Sequence, residues 1–514
     1  MSEKLNKHKS ALLSAVIISV HCVCIYLLYL QVPLNSDHAN QILESADILS
    51  GNVLLHGWNL TGVSFYLSEL PFYVLGTALF GIDTYAYIFA ASVMVMAVSV
   101  LGFFLAFSRE RRNVPETLLY LALTGFPTLT WLGYLRGHCA IFVYFFLLLL
   151  CVGRIFREKT SPAALWAAAA LLAACGCMSD MQLLIIGIVP VMLFCLADLL
   201  QNVPRFETRK TGSLALVLAV GTAAGVLMDK LLMRLGGINK NAFLDTRKFA
   251  DLDRLWEKAL LLGRGILNVF RVEFPLAGAR SALGLAAAAF LLILTLIFIA
   301  AALRRYFMQE TGDAVSIVLS LSLVVMTLVC FFTDIYTSED SARYIAFFAF
   351  SAGVLICRGL SSMKVRFRLI PCAGLCLAAA LLYMPAVTMH RVESPQDRLA
   401  AFLEANGLTR GYSDFWNASH TTVAANDRVR VRAIKAQVPE LGHPDYLEMQ
   451  NWFCKNEWYQ ADDADFIAFD GTGYLHVSED VVTQLLGRPD HILENGEYRV
   501  FVYDRDISKE IVRR

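Results

Sequence analysis

Repeated runs of about 20 apolar residues constrain this chain more than anything else in it, because only a helix that pairs all its own backbone groups crosses hydrocarbon, and about 20 residues span it. Eleven such runs stand at roughly 11–30, 84–107, 115–133, 140–153, 162–178, 181–199, 213–233, 282–303, 314–333, 344–357 and 369–389. The fourth and tenth are short, and only Ser179 and Asp180 interrupt the hairpin 162–199. Hydrophobic residues are 57% of the chain and charged ones 17%, against about 25% charged in an ordinary soluble domain. A mainly soluble protein is excluded, and a polytopic α-helical membrane protein of about eleven transmembrane helices is expected.

Charge gives these runs an orientation. Segments flanking cytoplasmic helix ends are enriched in Lys and Arg. With Lys4, Lys7 and Lys9 inside, every second connection is basic: Arg109, Arg111 and Arg112; Arg154, Arg157 and Lys159; Arg205, Arg209 and Lys210; Arg304 and Arg305; then Arg358, Lys364, Arg366 and Arg368. The stretch 31–83 has no Lys or Arg. This pattern predicts a cytoplasmic N-terminus, an extracytoplasmic C-terminus and insertion in the cell's inner membrane. No small-residue cleavage site follows Leu30, so the first helix reads as an uncleaved anchor.

The net charge of zero conceals two parts. Residues 392–514 hold 13 Lys+Arg and 21 Asp+Glu, leaving 31 and 23 in residues 1–391. The division predicts a membrane body, 1–391, with long outer loops at 31–83 and 234–280, and an acidic soluble domain, 392–514. In the latter, an amphipathic helix over 397–404 closed by Gly407, strands at 429–434, 465–469 and 498–503, and a helix at 478–486 predict a small α/β fold. It has no basic stripe, so no nucleic-acid partner is expected. Nearly all the twelve cysteines lie in apolar runs and only Cys454 in the tail, so this domain depends on its core, not on disulfides.

The loop after the first run carries the densest polar chemistry. Asn35-Ser36-Asp37-His38 leads into 42–49, whose helical spacing predicts a short helix along the membrane surface. Asp37 is either a functional carboxylate at a membrane edge or the cap of that helix. A Pro-aromatic run then ends at Leu79-Phe80-Gly81 before the second span.

An Asp just after the first helix, surface helices, that Pro-aromatic run and a many-span body with an outward C-terminal domain together resemble the GT-C superfamily of membrane glycosyltransferases, which includes protein O-mannosyltransferases and lipid A aminoarabinose transferases. Gly407 to Ala418, with Val429-Arg430-Val431-Arg432, is similar to the outward domains of an uncharacterised bacterial branch. The resemblance implies a hexosyl- or pentosyltransferase that moves a sugar from a polyprenyl-phosphate donor to an envelope lipid, glycan or protein, with Asp37 as general base. It implies no tightly bound cofactor, with a loosely held divalent cation left open; His38, His56 and His138 match no zinc spacing.

A leaving lipid phosphate needs cations. Arg343-Tyr344 opens a span after a short acidic loop and reads as a donor-phosphate contact or a snorkelling end. Arg136-Gly137-His138 occupies the turn where many relatives carry a second acid; Glu69 or Asp180 then supplies a second carboxylate. The loop 234–280 carries nine basic and five acidic residues, none singled out. Tyr412, Asp414 and Trp416 read as sugar contacts. A flippase or transporter of lipid-linked glycans, or a non-enzymatic assembly or sensor protein, are the alternatives; no internal repeat supports transport.

Overall fold

The computed structural model describes residues 2–513 except 109–111, 125–127, 202, 241–248, 271, 273–277, 309–312, 362–373, 375–387, 439–443 and 461–462. The body comprises α1 (Ser2–Tyr29), α2 (Ser36–Leu49), α3 (Leu70–Phe80), α4 (Thr84–Ala106), α5 (Val114–Thr124), α6 (Leu129–Leu135), α7 (Cys139–Arg157), α8 (Ala163–Ser179), α9 (Leu184–Leu199), α10 (Thr208–Arg234), α11 (Leu255–Val269), α12 (Gly278–Phe307), α13 (Ala314–Phe332) and α14 (Phe348–Ser361), the last preceded by a 3-10 turn from Glu339 to Ile345. Seven of the described helices are long and apolar enough to cross a bilayer, eight if α5 and α6 form one span bent by 88°. The fifth and sixth runs form the shorter α8 and α9. At 1.5 Å per residue the 17 residues of α8 reach about 25 Å, a little less than the hydrocarbon thickness. The eleventh run lies almost wholly outside the described residues.

In lipid, helices gain most by close packing, which small residues permit. Gly221 and Gly225 of α10, four residues apart, face α8, where an added Cβ would stand 2.5 Å from the Ala170 carbonyl oxygen and 2.2 Å from that of Ala174. The alanine-rich sequence of α8 is the matching flat surface.

The C-terminal domain begins with α15 (Pro395–Ala405), started by a capping box between Ser394 and Asp397 and ended before Gly407 at φ +72°. There follow β2 (Arg410–Ser413), α16 (Phe415–Ala424), β3 (Arg430–Gln437), β4 (Tyr446–Met449), β5 (Cys454–Lys455), β6 (Phe466–Phe469), α17 (Glu479–Leu486), β7 (His491–Glu494), β8 (Arg499–Val502) and β9 (Ile511–Val512). Seven strands form a mixed sheet in the order β7-β8-β6-β2-β3-β4-β9, parallel where β2 meets β3 and β6 and antiparallel at β3–β4 and β6–β8. One face packs Tyr412, Ile434 and Ile467, the other Val431, Phe466 and Val500, as the two-residue period of a strand requires.

This domain sits on the loop between α1 and α4. The short β1 (Trp58–Asn59) pairs with β5. Ser36 Oγ donates to the Trp416 carbonyl at 2.8 Å, Ser419 Oγ donates to Asn40 Oδ1 at 2.8 Å, and Lys455 Nζ lies 3.1 Å from Asp47 Oδ1. The loop and the domain therefore share one side of the body. The amphipathic pattern of α2 suggests a membrane-surface helix, but nine of its 14 residues are buried between the body and α16. Its second face meets protein, not headgroups, because Ser36 and Asn40 have partners there.

Candidate active site

Asp37 occupies the first turn of α2, and the alternative that it caps that helix is answered by its neighbour: Asn35 is the cap, its side chain accepting from the His38 amide at 3.2 Å. Asp37 is thereby released from capping. It is half-buried, and its Oδ1 is enclosed with no hydrogen-bond partner. Burial pushes its carboxyl above the usual carboxylate range, and the opposing fields of Arg343, Arg136 and His138 only partly offset this.

Those opposing charges come from distant parts of the chain. Arg136, ending α6, anchors itself by donating to the Pro33 carbonyl at 3.0 Å. Arg343 crosses the ring of Tyr344 with its guanidinium carbon 5.2 Å from the centroid, passes Gly137, and keeps its Nε buried without a partner. Neither arginine lies within salt-bridge range of Asp37, so an unpaired carboxylate oxygen and an unpaired guanidinium nitrogen lie within reach of each other's field. Such orphaned groups are costly unless something else satisfies them.

A second layer supports these groups. His138, in the left-handed region at φ +60°, places Nδ1 2.6 Å from Asp180 Oδ2, and its ring lies 5.0 Å from that of Tyr344. Asp180 also accepts from the Gln182 amide at 2.9 Å, and Gln182 Nε2 donates to the Tyr344 carbonyl at 2.8 Å. His138 thus does not replace a second acid; it holds one. Glu69 is fully buried at the start of α3. Burial first, and the charge of Asp180 second, push its carboxyl up to about 8, while the Cys139 and Ala140 amides and Gln41 hold it down only slightly. Near neutrality Glu69 is mostly protonated. His38 lies between the rings of Tyr73 and Tyr87, with Nδ1 3.1 Å from both Gln41 Oε1 and Tyr73 Oη. Burial lowers its imidazole to about 3, so it is neutral.

The C-terminal domain contributes an aromatic rim. Trp416, 39% exposed, follows the bond from Ser36 and packs edge-on against Tyr474 at 5.9 Å. Burial, then the charges of Asp37 and Asp414, raise the Tyr474 hydroxyl above the ordinary phenol range. Tyr474 carries no signal in the sequence; its segment holds Gly471, Gly473, Leu475 and His476 in the left-handed region. Asp414 caps α16 by accepting from the Trp416 amide at 2.8 Å, and burial moves it up to about 6. The expected sugar contact Tyr412 lies elsewhere: it is buried in the domain core and stacked on Tyr459, because its strand position points away from this rim.

Several basic residues of the loop 234–280 are committed. Lys240 pairs with Asp229 at 2.6 Å, and Lys258 turns inward to the carbonyls of Thr333 and Tyr336. Arg247, Lys248 and Arg271 lie outside the described residues. Among the described residues no three His, Cys, Asp or Glu side chains could hold a metal ion.

No family model matches this sequence, and no curated protein matches it. Among solved structures, the chain is similar to that of ArnT from Cupriavidus metallidurans in the apo state, with a TM-score of 0.58 and 10% identity over 95% of this chain and 97% of that one. A likeness of this extent at so low an identity establishes the fold: the membrane body and the C-terminal α/β domain follow one arrangement from end to end, the arrangement that the resemblance to GT-C proteins implies.

Proposed function

We propose that this protein is a membrane glycosyltransferase of the GT-C type, transferring a sugar from a polyprenyl-phosphate donor to a cell-envelope acceptor, with Asp37 as general base. The observation that carries this reading is that Asp37, enclosed and uncapped, lies in the fields of Arg136 and Arg343 without pairing with either. A hydroxyl is a poor nucleophile until a carboxylate takes its proton, and a base works best with a pKa moved toward neutrality. Burial supplies that movement. As the acceptor oxygen bonds to the anomeric carbon, its proton passes to Asp37, and the breaking bond leaves its electron pair on the donor phosphate. Arg136 and Arg343 neutralise that charge, the guanidinium fork matching a phosphate's oxygens.

Protonated Glu69 adds no repelling charge, and the His138–Asp180 pair fixes the turn that presents Arg136. Trp416 and Tyr474 form the acceptor's platform, with buried Asp414 holding the start of α16 beneath them. No tightly bound metal takes part in this scheme, although a loosely held divalent cation is compatible with it. The basic connections argue for an inner-membrane protein with a cytoplasmic N-terminus and extracytoplasmic site.

The test is sugar transfer from a polyprenyl-phosphate donor by purified protein. Asp37→Asn is expected to reduce transfer by about 10²- to 10⁴-fold, the usual contribution of a general base. Full transfer by this variant would remove Asp37 from its role. Movement of lipid-linked glycan across vesicles without a transfer product would replace the enzyme with a flippase.

A further inference from the structure

A cavity of about 410 Å³ lies between the C-terminal half of α2 and the sheet domain, lined by Arg410, Arg430, Arg432 and Lys455 together with four carboxylates, Asp47, Asp427, Glu457 and Asp463. It is distinct from the site at Asp37, since ten residues of helix separate Asp37 from Asp47, about 15 Å. The strand register builds its cationic wall. β2 and β3 are parallel with Arg410 opposite Arg430 and Tyr412 opposite Arg432. Residues two apart share a sheet face, so three guanidiniums crowd onto one patch.

Their partners are unequal. Arg410 pairs with Asp463 at 2.7 Å and Arg430 with Asp427 at 2.7 Å. Lys455 is shared between Asp47 and Glu457. Asp47 is itself saturated, since its Oδ2 accepts from Trp58 Nε1 and Asn52 Nδ2, both at 2.7 Å. Arg432 alone of the four has no carboxylate within salt-bridge distance among the described residues; Asp427, whose charge reaches it, is paired with Arg430. Its guanidinium lies 4.1 Å from the centroid of the Trp458 ring, with Nη1 enclosed and unbonded. Burial, with the neighbouring Arg430 and Arg410, pulls it down to about 10, so it stays charged near neutrality. A buried charged donor left unpaired costs several kcal/mol unless a ligand meets it.

We propose that this cavity binds an oxyanion, the carboxylate or phosphate of a saccharide, with Arg432 as its principal ligand. Arg410 joins from the sheet, because its partner Asp463 is 63% exposed and the pair is held only weakly. This assignment does not rest on Asp37 or on transfer activity.

The experiment is calorimetric titration of the full chain in detergent at low ionic strength with inorganic phosphate, glucuronate and glucose. Saturable binding of phosphate or glucuronate, but not glucose, is expected, and the tighter of the two anions identifies the ligand's acidic group. Arg432→Met is expected to weaken binding by about tenfold or more, the loss of a charged hydrogen bond. Ala46→Trp, which fills the cavity from α2 and leaves Arg432 in place, is expected to do the same and decides the matter if Arg432→Met does not fold. Asp37→Asn retains binding whatever happens to transfer. The proposal is overturned if neither anion binds the wild type, or if Ala46→Trp binds as the wild type does.

Discussion

Glu69 makes stability depend on pH in a direction opposite to that of most carboxylates. Its ordinary value of 4.5 rises to about 8 in the folded protein. Between these values the unfolded chain has released the proton and the folded chain keeps it, so the folded state binds more protons and loses stability as pH rises. Each pH unit in that window removes about 1.4 kcal/mol. Raising pH from 5 to 7 therefore costs about 3 kcal/mol through this group, and the loss levels off above about pH 8. Glu69→Gln removes the titration and keeps the size and shape of the neutral side chain. Thermal unfolding in detergent across pH 5 to 8.5 is the assay, with the wild-type-minus-variant difference cancelling every other titrating group. The two proteins are expected to unfold together near pH 5 and the variant to be the more stable at pH 7 and above. A difference that stays flat with pH would refute a buried, protonated Glu69.

Three other outcomes follow from the same contacts. Gly225→Leu, whose side chain meets the Ala174 carbonyl oxygen at the α8–α10 crossing, is expected to separate the helices and lower the unfolding temperature markedly, while Gly212→Leu, which meets nothing within 4 Å, leaves it within a degree or two. Asn40→Leu leaves buried Ser419 without its acceptor, for a loss of about 1–3 kcal/mol, read as faster proteolytic release of the C-terminal domain. Transfer is expected to persist in EDTA, since Arg136 and Arg343 already supply cationic charge; complete loss restored by a divalent cation would place a metal in the mechanism.

The body was legible because hydrophobic length is a property of single segments: ten of the eleven apolar runs coincide with described helices, even where α5 and α6 bend or α8 is short. Asp37 was legible as a candidate but not as an uncapped one, since Asn35 and Asp37 are equally good cap formers and only backbone geometry shows which one caps. The pairing of His138 with Asp180 was not legible: 42 residues separate them, and they meet because the turn before α7 abuts the end of α8. Tyr474 lacked any signal, lying in a turn without apolar periodicity. Tyr412 was read as a sugar contact because an aromatic in a polar stretch looks like one; strand alternation turns it away from Trp416, against Tyr459 and beside the cavity that Arg432 lines.

Helix α2 shows why the site could not be read from its own segment. An amphipathic pattern states that one face is apolar; it does not state whether the other meets lipid headgroups, water or protein. Here that face meets α16, and the consequence is electrostatic. Exposed at a membrane surface, Asp37 would be well hydrated and a weak base. Covered by the domain that Ser36 and Ser419 fasten to the helix, it loses hydration, and its carboxyl rises above the ordinary range despite two nearby guanidiniums. On the proposed role of Asp37 as base, docking of the C-terminal domain is expected to raise its basicity as well as to supply Trp416 and Tyr474. A variant such as Asn40→Leu that loosens the domain is accordingly expected to lower transfer even though it touches neither Asp37 nor the arginines, and to shift the acidic limb of the pH–rate profile to lower pH, a shift that simple loss of folded protein would not produce.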